Sequence, residues 1–246
     1  MIQAVAIIPA RYGSTRFPGK PLVEIAGKPM IRHVFERARR CPRLRGVHVA
    51  TDDAAIWTAV REFGGDAVMT AGSHRSGTDR ICEAAEALRL APDVVVVNIQ
   101  GDQPAFPPSV IDDLLSPFEE PDPPVMTTLM HRIESPDSEN NPNHVKVVTD
   151  VRGDALYFSR FPIPYVRDGS GAARWKHLGF YAYRTWFLKD FTRLPEGRLE
   201  AAEKLEQLRA LEHGYKIRVV ETGFDSVEVD VPADTARVET LLAPDG

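Results

Sequence analysis

VVVVNIQGDQP, residues 94–104, is the stretch on which the fold turns. Four valines followed by Asn98 and Ile99 leave no polar alternation. A strand of this kind is expected to be buried on both faces, as parallel strands are when helices cover both sides of a sheet. Gly101 and Asp102 then interrupt it at the carboxyl end, where open α/β sheets bind their ligands. Outward from this point, AVAII (4–8), GVHVAT (46–51) and AVMT (67–70) read as further strands. Between them PMIRHVFERARR, AAIWTAVREFG and TDRICEAAEALRL carry apolar residues at helical spacing. Strand and helix in alternation predict a doubly wound α/β sheet. Three polar loops leave its carboxyl ends: the one that follows the first strand, TDD (51–53) and QGDQP (100–104).

The proline-rich FEEPDPPV (118–125) changes the character of the chain. VMTTLMHRI, HVKVVTD, ALYFSR and LGFYAYR alternate as strands do, which predicts an inserted β-rich subdomain over 125–184, packed on the first sheet inside a single domain of residues 1–246. RLEAAEKLEQLRALEHG (198–214) predicts one helix with Ala202, Leu205, Leu208 and Leu211 along a stripe and Gly214 as its stop. KIRVVET then reads as a strand and PADTARVETLLA as a closing helix.

At 246 residues and 43% hydrophobic the chain is long enough for one sizeable core. A net charge of −5 argues against nucleic acid or an anionic membrane as partner, so a basic cluster in this chain is a local feature on an acidic background. Cys41 and Cys82 have neither zinc-site nor disulfide-framework spacing, which fits a reducing cytoplasm. No apolar run approaches ~18 residues and no export signal is recognisable, so a soluble, cytoplasmic protein is expected.

That basic cluster is IIPARYGSTRFPGKPL, residues 7–22, where Arg11, Arg16 and Lys20 interleave with Gly13, Ser14, Pro18 and Gly19. Cations at this density repel one another unless water or an anion separates them, and a glycine-rich turn brings backbone N–H groups close to a guest. A polyphosphate suits both features; a solvated basic loop is the alternative. Neither common phosphate fingerprint is present, since Pro21 stands where G-x-x-x-x-G-K-[ST] requires Ser or Thr.

Asp102 after the buried strand and Asp230 in VEVDVPADTARV are placed to hold Mg²⁺, which takes one or two carboxylates together with phosphate oxygens and water. Turn or helix capping is the alternative for each, and Asp234 reads as a first-turn acid complementing its helix. In HRSGTDR (74–80), Ser76 and Gly77 precede a helix with Thr78 as the expected N-cap, which leaves His74 and Arg80 unassigned. Arg160, His177 and Tyr181 fall on successive strands. His33 and His48 read as structural, and His213 as a helix-end charge.

Taken in order, IIPARYGSTRFPGKPL, TDD, HRSGTDR, NIQGDQP, NPNHVKVV, YFSRFPIP, HLGFYAYR, EKLEQLRAL and VDVPADTARV closely resemble the 3-deoxy-manno-octulosonate cytidylyltransferases, or CMP-Kdo synthetases, from about residue 4 to 240. The resemblance implies a Rossmann-like nucleotidyltransferase (GT-A-like) sheet and a homodimer built through the inserted subdomain. It implies Mg²⁺ dependence and the reaction of CTP with Kdo to give CMP-Kdo and pyrophosphate for lipopolysaccharide biosynthesis. On this likeness Arg11, Ser14, Arg16 and Lys20 cradle the triphosphate, and Ser76 and Gly77 lie beside cytosine and ribose. Asp102 and Asp230 are the metal pair, so the catalytic set is Arg16, Lys20, Asp102 and Asp230. Arg160, His177, Tyr181, Glu206 and Gln207 match the sugar-acid pocket, with Gln100 and Arg80 adjoining it; Glu206 and Gln207 lie off the Leu205, Leu208 and Leu211 face of the predicted helix.

The sequence departs from the family pattern at Gln103, where Glu is expected, and at Val231 and Ala233, where Thr and Glu are usual. Supporting roles of the replaced acids are thereby in question. Related readings are a cytidylyltransferase for 8-amino-Kdo or sialic acid, a nucleotide-sugar glycosyltransferase, and a non-catalytic nucleotide-binding dimer. A glycosyltransferase usually carries D-x-D after its central strand, whereas GDQP has a single Asp.

Overall fold

The computed structural model describes residues 2–13, 17–168 and 171–242. In chain order its strands are β1 (Ala4–Ala10), a small hairpin of β2 (Glu24–Ile25) and β3 (Lys28–Pro29), β4 (Leu44–Thr51), β5 (Asp66–Met69) and β6 (Val95–Asn98). They continue with β7 (Met126–Arg132), β8 (Lys146–Thr149), β9 (Ala155–Ser159), β10 (Trp175–Arg184) and β11 (Arg218–Glu221). The helices are α1 (Met30–Ala38), α2 (Ala54–Glu62), α3 (Gly77–Ala87), α4 (Ser109–Leu115), α5 (Pro136–Asn140), α6 (Thr185–Phe191), α7 (Arg198–Glu203), α8 (Leu208–Glu212) and α9 (Asp234–Leu242).

Alternation along the buried strands divides the core. Ala4, Ala6, Ile8 and Ala10 join Val95 and Val97 against one helical layer that includes α1, α2 and α4. Val5, Ile7 and Val96 face the other, with Ile81 of α3 and Phe187 of α6. The sheet runs β11–β7–β10–β6–β1–β4–β5. Its β6–β1–β4–β5 half is parallel, β10 is antiparallel to both of its neighbours, and β11 returns parallel to β7. The chain leaves β1 toward β4 on one side and later returns to β6 on the other, which opens a crevice at the carboxyl ends of β1 and β6.

The predicted β-rich segment is continuous with this sheet and is not a layer packed upon it. β7 and β10 pair within the main order, and β8 and β9 alone stand off it. The physical reason lies in LGFYAYR: Leu178, Phe180 and Ala182 bury toward one layer while Tyr183 buries toward the other, so β10 needs cover on both faces.

The single helix predicted over 198–214 is interrupted. Lys204 adopts a left-handed conformation (φ 54°) after α7, and α8 begins only at Leu208. Tertiary bonds take the groups that would have continued the helix: Arg160 Nε donates to Glu203 O at 2.7 Å, and Ser159 Oγ and the Arg160 amide donate to the Glu203 carboxylate. Leu205 and Leu208 stay buried, but Ala202 is exposed and the stripe is broken. Among the described residues no helix is long and apolar enough to cross a membrane.

Candidate active site

The crevice is a cleft of about 270 Å³ assembled from segments distant in sequence. The end of β1 leads into Arg11, the next loop supplies Lys20, and the turn before α3 supplies Ser76 and Gly77. Arg80 projects from α3, Gln100 and Asp102 follow β6, and Asp230 arrives from the loop before α9. Gly101 is required by close approach, since a Cβ there would stand 3.0 Å from the carbonyl oxygen of Pro9. Ser14 and Arg16 lie outside the described residues.

Lys20 Nζ lies 2.7 Å from Asp102 Oδ2 and 3.7 Å from Asp230 Oδ1, so one cation reaches both carboxylates. The capping alternative falls elsewhere. Asp234 accepts hydrogen bonds from the backbone N–H groups of Asp230 and Val231 at 2.8 and 2.9 Å, which is a more specific task than the helix-dipole role expected of it. Asp102 caps no helix, because α4 starts after Pro108 with no side-chain cap. Among the described residues no group of three or more His, Cys, Asp or Glu is placed to hold a metal. Two hard oxygen donors facing an open cleft fit a cation that completes its shell from water and ligand oxygens.

At the head of α3 the N-cap is Ser76, two residues before the expected Thr78. Ser76 Oγ accepts from the Asp79 amide, and Asp79 returns a bond to the Ser76 amide, closing a capping box. Thr78 is released to donate to Glu206 Oε2 at 2.5 Å, which brings Glu206 to the edge of the cleft. Burial pushes the Glu206 carboxyl above its usual range, against the hydrogen bonds from Thr78 and Ser76. Arg80 is buried and committed to Asp52 at 3.0 Å and Thr70 at 2.6 Å. Asp53 caps α2 through the amides of Ala55 and Ile56, so the TDD loop divides between a cap and an ion pair.

Of the remaining residues matched to the sugar pocket, His177 and Tyr181 lie together on β10, whereas Gln207 stands just before α8 and Arg160 just after β9. His177 packs edge-on against Phe158 and lies near Tyr181. Desolvation lowers its pKa to about 3, so the ring is neutral at working pH. Thr128 Oγ1 stands 2.7 Å from Phe180 O, so its single hydrogen is used there and it accepts from His177 Nε2 at 3.0 Å. Tyr181 is raised well above the usual phenol range by burial and then by Tyr183, Glu206 and Glu228. Gln207 is buried, and its Nε2 meets no hydrogen-bond partner among the described residues. Arg160 stands at the end of β9 with its fork on the carbonyls of Glu203, Pro142 and Lys204.

A family model described as cytidylyltransferase matches residues 5–217. The chain belongs to the cytidylyltransferase family. It is similar to the 3-deoxy-manno-octulosonate cytidylyltransferase of Syntrophus aciditrophicus (strain SB), 55% identical over 98% of each chain. It is also 54% identical to the 8-amino-3,8-dideoxy-manno-octulosonate cytidylyltransferase of Shewanella pealeana (strain ATCC 700345 / ANG-SQ1), over 97% of this chain and 98% of that one. Among solved structures it is similar to a CMP:2-keto-3-deoxy-manno-octonic acid synthetase complexed with CTP, with a TM-score of 0.93 and 44% identity over 99% of this chain and 100% of that one. The resemblance read from the ordered motifs is borne out.

Three groups of this cytidylyltransferase that sequence reasoning left unassigned or passed over now have a place. His74 and Arg75 line the cleft. His74 is held by a short hydrogen bond to Glu83, and Arg75 is an exposed cation at the margin. Their signal was their position in HRSGTDR. Glu228 accepts a hydrogen bond from Gln103 Nε2 at 3.0 Å. Glu228 has a solvent-reaching surface, yet the protein around its carboxyl and then the like charges of Asp102 and Asp230 raise its pKa. No local pattern in VEVDV announces a partner 125 residues away.

Proposed function

We propose that this cytidylyltransferase activates Kdo with CTP, giving CMP-Kdo and pyrophosphate, as a step that supplies lipopolysaccharide biosynthesis in the cytoplasm. The observation that carries the reading is the near-full-length likeness to a 3-deoxy-manno-octulosonate cytidylyltransferase, together with a cleft where basic and acidic groups converge at one strand switch. The anomeric hydroxyl attacks the α-phosphorus in line and its proton passes to solvent, while the bond from the α-phosphorus to the bridging oxygen of the β-phosphate breaks and pyrophosphate leaves. Arg11, Arg16 and Lys20 meet the charge that gathers on the phosphate oxygens, with Ser14 as a further donor. Lys20 exchanges its aspartate partners for phosphate when CTP enters.

Ser76 and Gly77 border the cytosine and ribose. Asp102 and Asp230 would hold Mg²⁺, which would supply Lewis-acid polarisation of the phosphate and ease deprotonation of the sugar hydroxyl. On the acceptor side Gln100, His177, Tyr181, Glu206 and Gln207 bind the sugar acid and Arg160 offsets its carboxylate, while Arg80, already paired with Asp52, shapes the wall between the two subsites.

A second acceptor, 8-amino-Kdo, is favoured by the 54% identity to a relative named for that sugar. Purified protein with CTP and Mg²⁺, offered Kdo and 8-amino-Kdo separately and followed by ³¹P detection of CMP-sugar and pyrophosphate, distinguishes the two. No CMP-sugar from either would overturn the reading.

The same proposal includes a homodimer through the β8–β9 region. Its support is a group of exposed apolar side chains, Val151, Leu156, Phe161 and Tyr165, of the kind that marks an interaction surface. Light scattering is expected to return a two-chain mass for wild type and a one-chain mass for the Leu156→Glu, Phe161→Glu double variant. An unchanged mass in that variant places the interface elsewhere.

A further inference from the structure

The loops that carry Asp102 and Asp230 are joined twice. The amide of Val229 donates to the Asp102 carbonyl at 2.9 Å, and Gln103 Nε2 donates to Glu228 Oε1 at 3.0 Å. Each partner of the side-chain link adjoins an aspartate, Gln103 directly and Glu228 two residues before Asp230. Gln103 is buried to 1% exposure beside Gly179, and its Oε1 meets no hydrogen-bond partner among the described residues, so Glu228 supplies the bond that secures this amide.

From this geometry we infer that Gln103 and Glu228 are a positioning pair that sets the spacing of Asp102 and Asp230. The inference rests on the proposed metal role of the two aspartates. It also accounts for the amide at position 103. A carboxylate there would confront the Glu228 carboxylate at hydrogen-bond distance, whereas an amide donates to it. What the site requires is one donor and one acceptor across the gap, in either orientation. Groups that support a metal ligand in this way commonly alter affinity or activity by ~10–100-fold when removed.

Glu228→Gln and Glu228→Ala both delete the charge, but only Gln can keep the hydrogen bond. Mn²⁺ affinity by electron paramagnetic resonance in the absence of CTP, kcat with the acceptor sugar and melting temperature are measured for each. Glu228→Gln is expected within about threefold of wild type, and Glu228→Ala at least tenfold below Glu228→Gln in both Mn²⁺ affinity and kcat while still folded. Gln103→Glu is expected to lose kcat, and adding Glu228→Gln to it to restore most of that loss. Equal behaviour of Glu228→Ala and Glu228→Gln, or no rescue in the swapped pair, overturns the inference. Asp102→Asn in the same Mn²⁺ assay separates the two levels. If Asp102→Asn binds Mn²⁺ as wild type does, the metal reading falls and the pair's role with it; if Asp102→Asn weakens binding while the swap fails, the pair alone is wrong.

Discussion

Lys20 and Asp102, 82 residues apart in the chain, meet at 2.7 Å, so the basic opening loop and the acidic strand end form one electrostatic unit. With Asp230 at 3.7 Å from the same ammonium, Lys20 holds together two like charges that would otherwise repel. Substitution of Lys20 therefore acts on both sides of the cleft.

For Lys20→Met we expect turnover to fall by at least ~100-fold, the scale seen when one preorganised charge stabiliser is removed. The melting temperature should change by only a few degrees, because the side chain lies at the cleft rather than in the core. Added Mg²⁺ should raise the melting temperature of the variant more than that of wild type, since the ammonium no longer competes with it for the two aspartates. Thermal melts with and without Mg²⁺ check this. Near-normal turnover in a folded variant would remove Lys20 from the phosphate cradle.

Arg160 offers a second test. Its guanidinium donates to three backbone carbonyls, which fixes the fork's plane while leaving its charge unneutralised by those partners. Arg160→Lys keeps the charge but cannot match that geometry. The apparent constant for the sugar acid should rise about tenfold or more, with CTP binding in the absence of sugar unchanged. A defect confined to CTP would move Arg160 out of the acceptor pocket.

His177 links packing to pH. In the fold its pKa is about 3, against an ordinary value of 6.5, with desolvation as the cause. Above pH 6.5 the ring is neutral in both folded and unfolded chains and contributes no pH dependence. Between 6.5 and 3 the unfolded chain takes up a proton that the folded chain refuses. Stability should therefore fall with falling pH, by up to about 1.4 kcal/mol per pH unit from this group. Urea unfolding at pH 7, 6, 5 and 4.5 should give a shallower acid slope for His177→Gln than for wild type; identical slopes would place the acid sensitivity in other groups.

Much of this was legible because its causes are local. The uninterrupted valines of 94–97 demanded burial on two faces, and the cleft followed from the glycine and aspartate at the end of that strand. What escaped depended on tertiary bonds. No helical periodicity reveals that Arg160 and Ser159 will stop the chain at Glu203, or that Ser76 rather than Thr78 will cap α3 because Thr78 is wanted by Glu206. The Gln103–Glu228 contact was invisible for the same reason, although the unexpected amide at 103 marked one end of it.

The metal pair carries the most weight. Asp102→Asn and Asp230→Asn each preserve shape and hydrogen bonding while removing one negative charge from a site for a hard cation. Turnover should collapse in both, and the double variant should lose little beyond either single, because groups that hold one ion together act as a unit. CTP should still bind each variant, since its own phosphates bring Mg²⁺ into the basic loop. Raising Mg²⁺ should recover part of the activity in the singles and less in the double. A purely capping role forecasts the opposite, as Asn caps nearly as well as Asp, and here Asp234 already occupies the amides of Asp230 and Val231. Turnover of the three variants across a Mg²⁺ series decides the matter: substantial activity in either single at ordinary Mg²⁺ would sink the shared-metal mechanism.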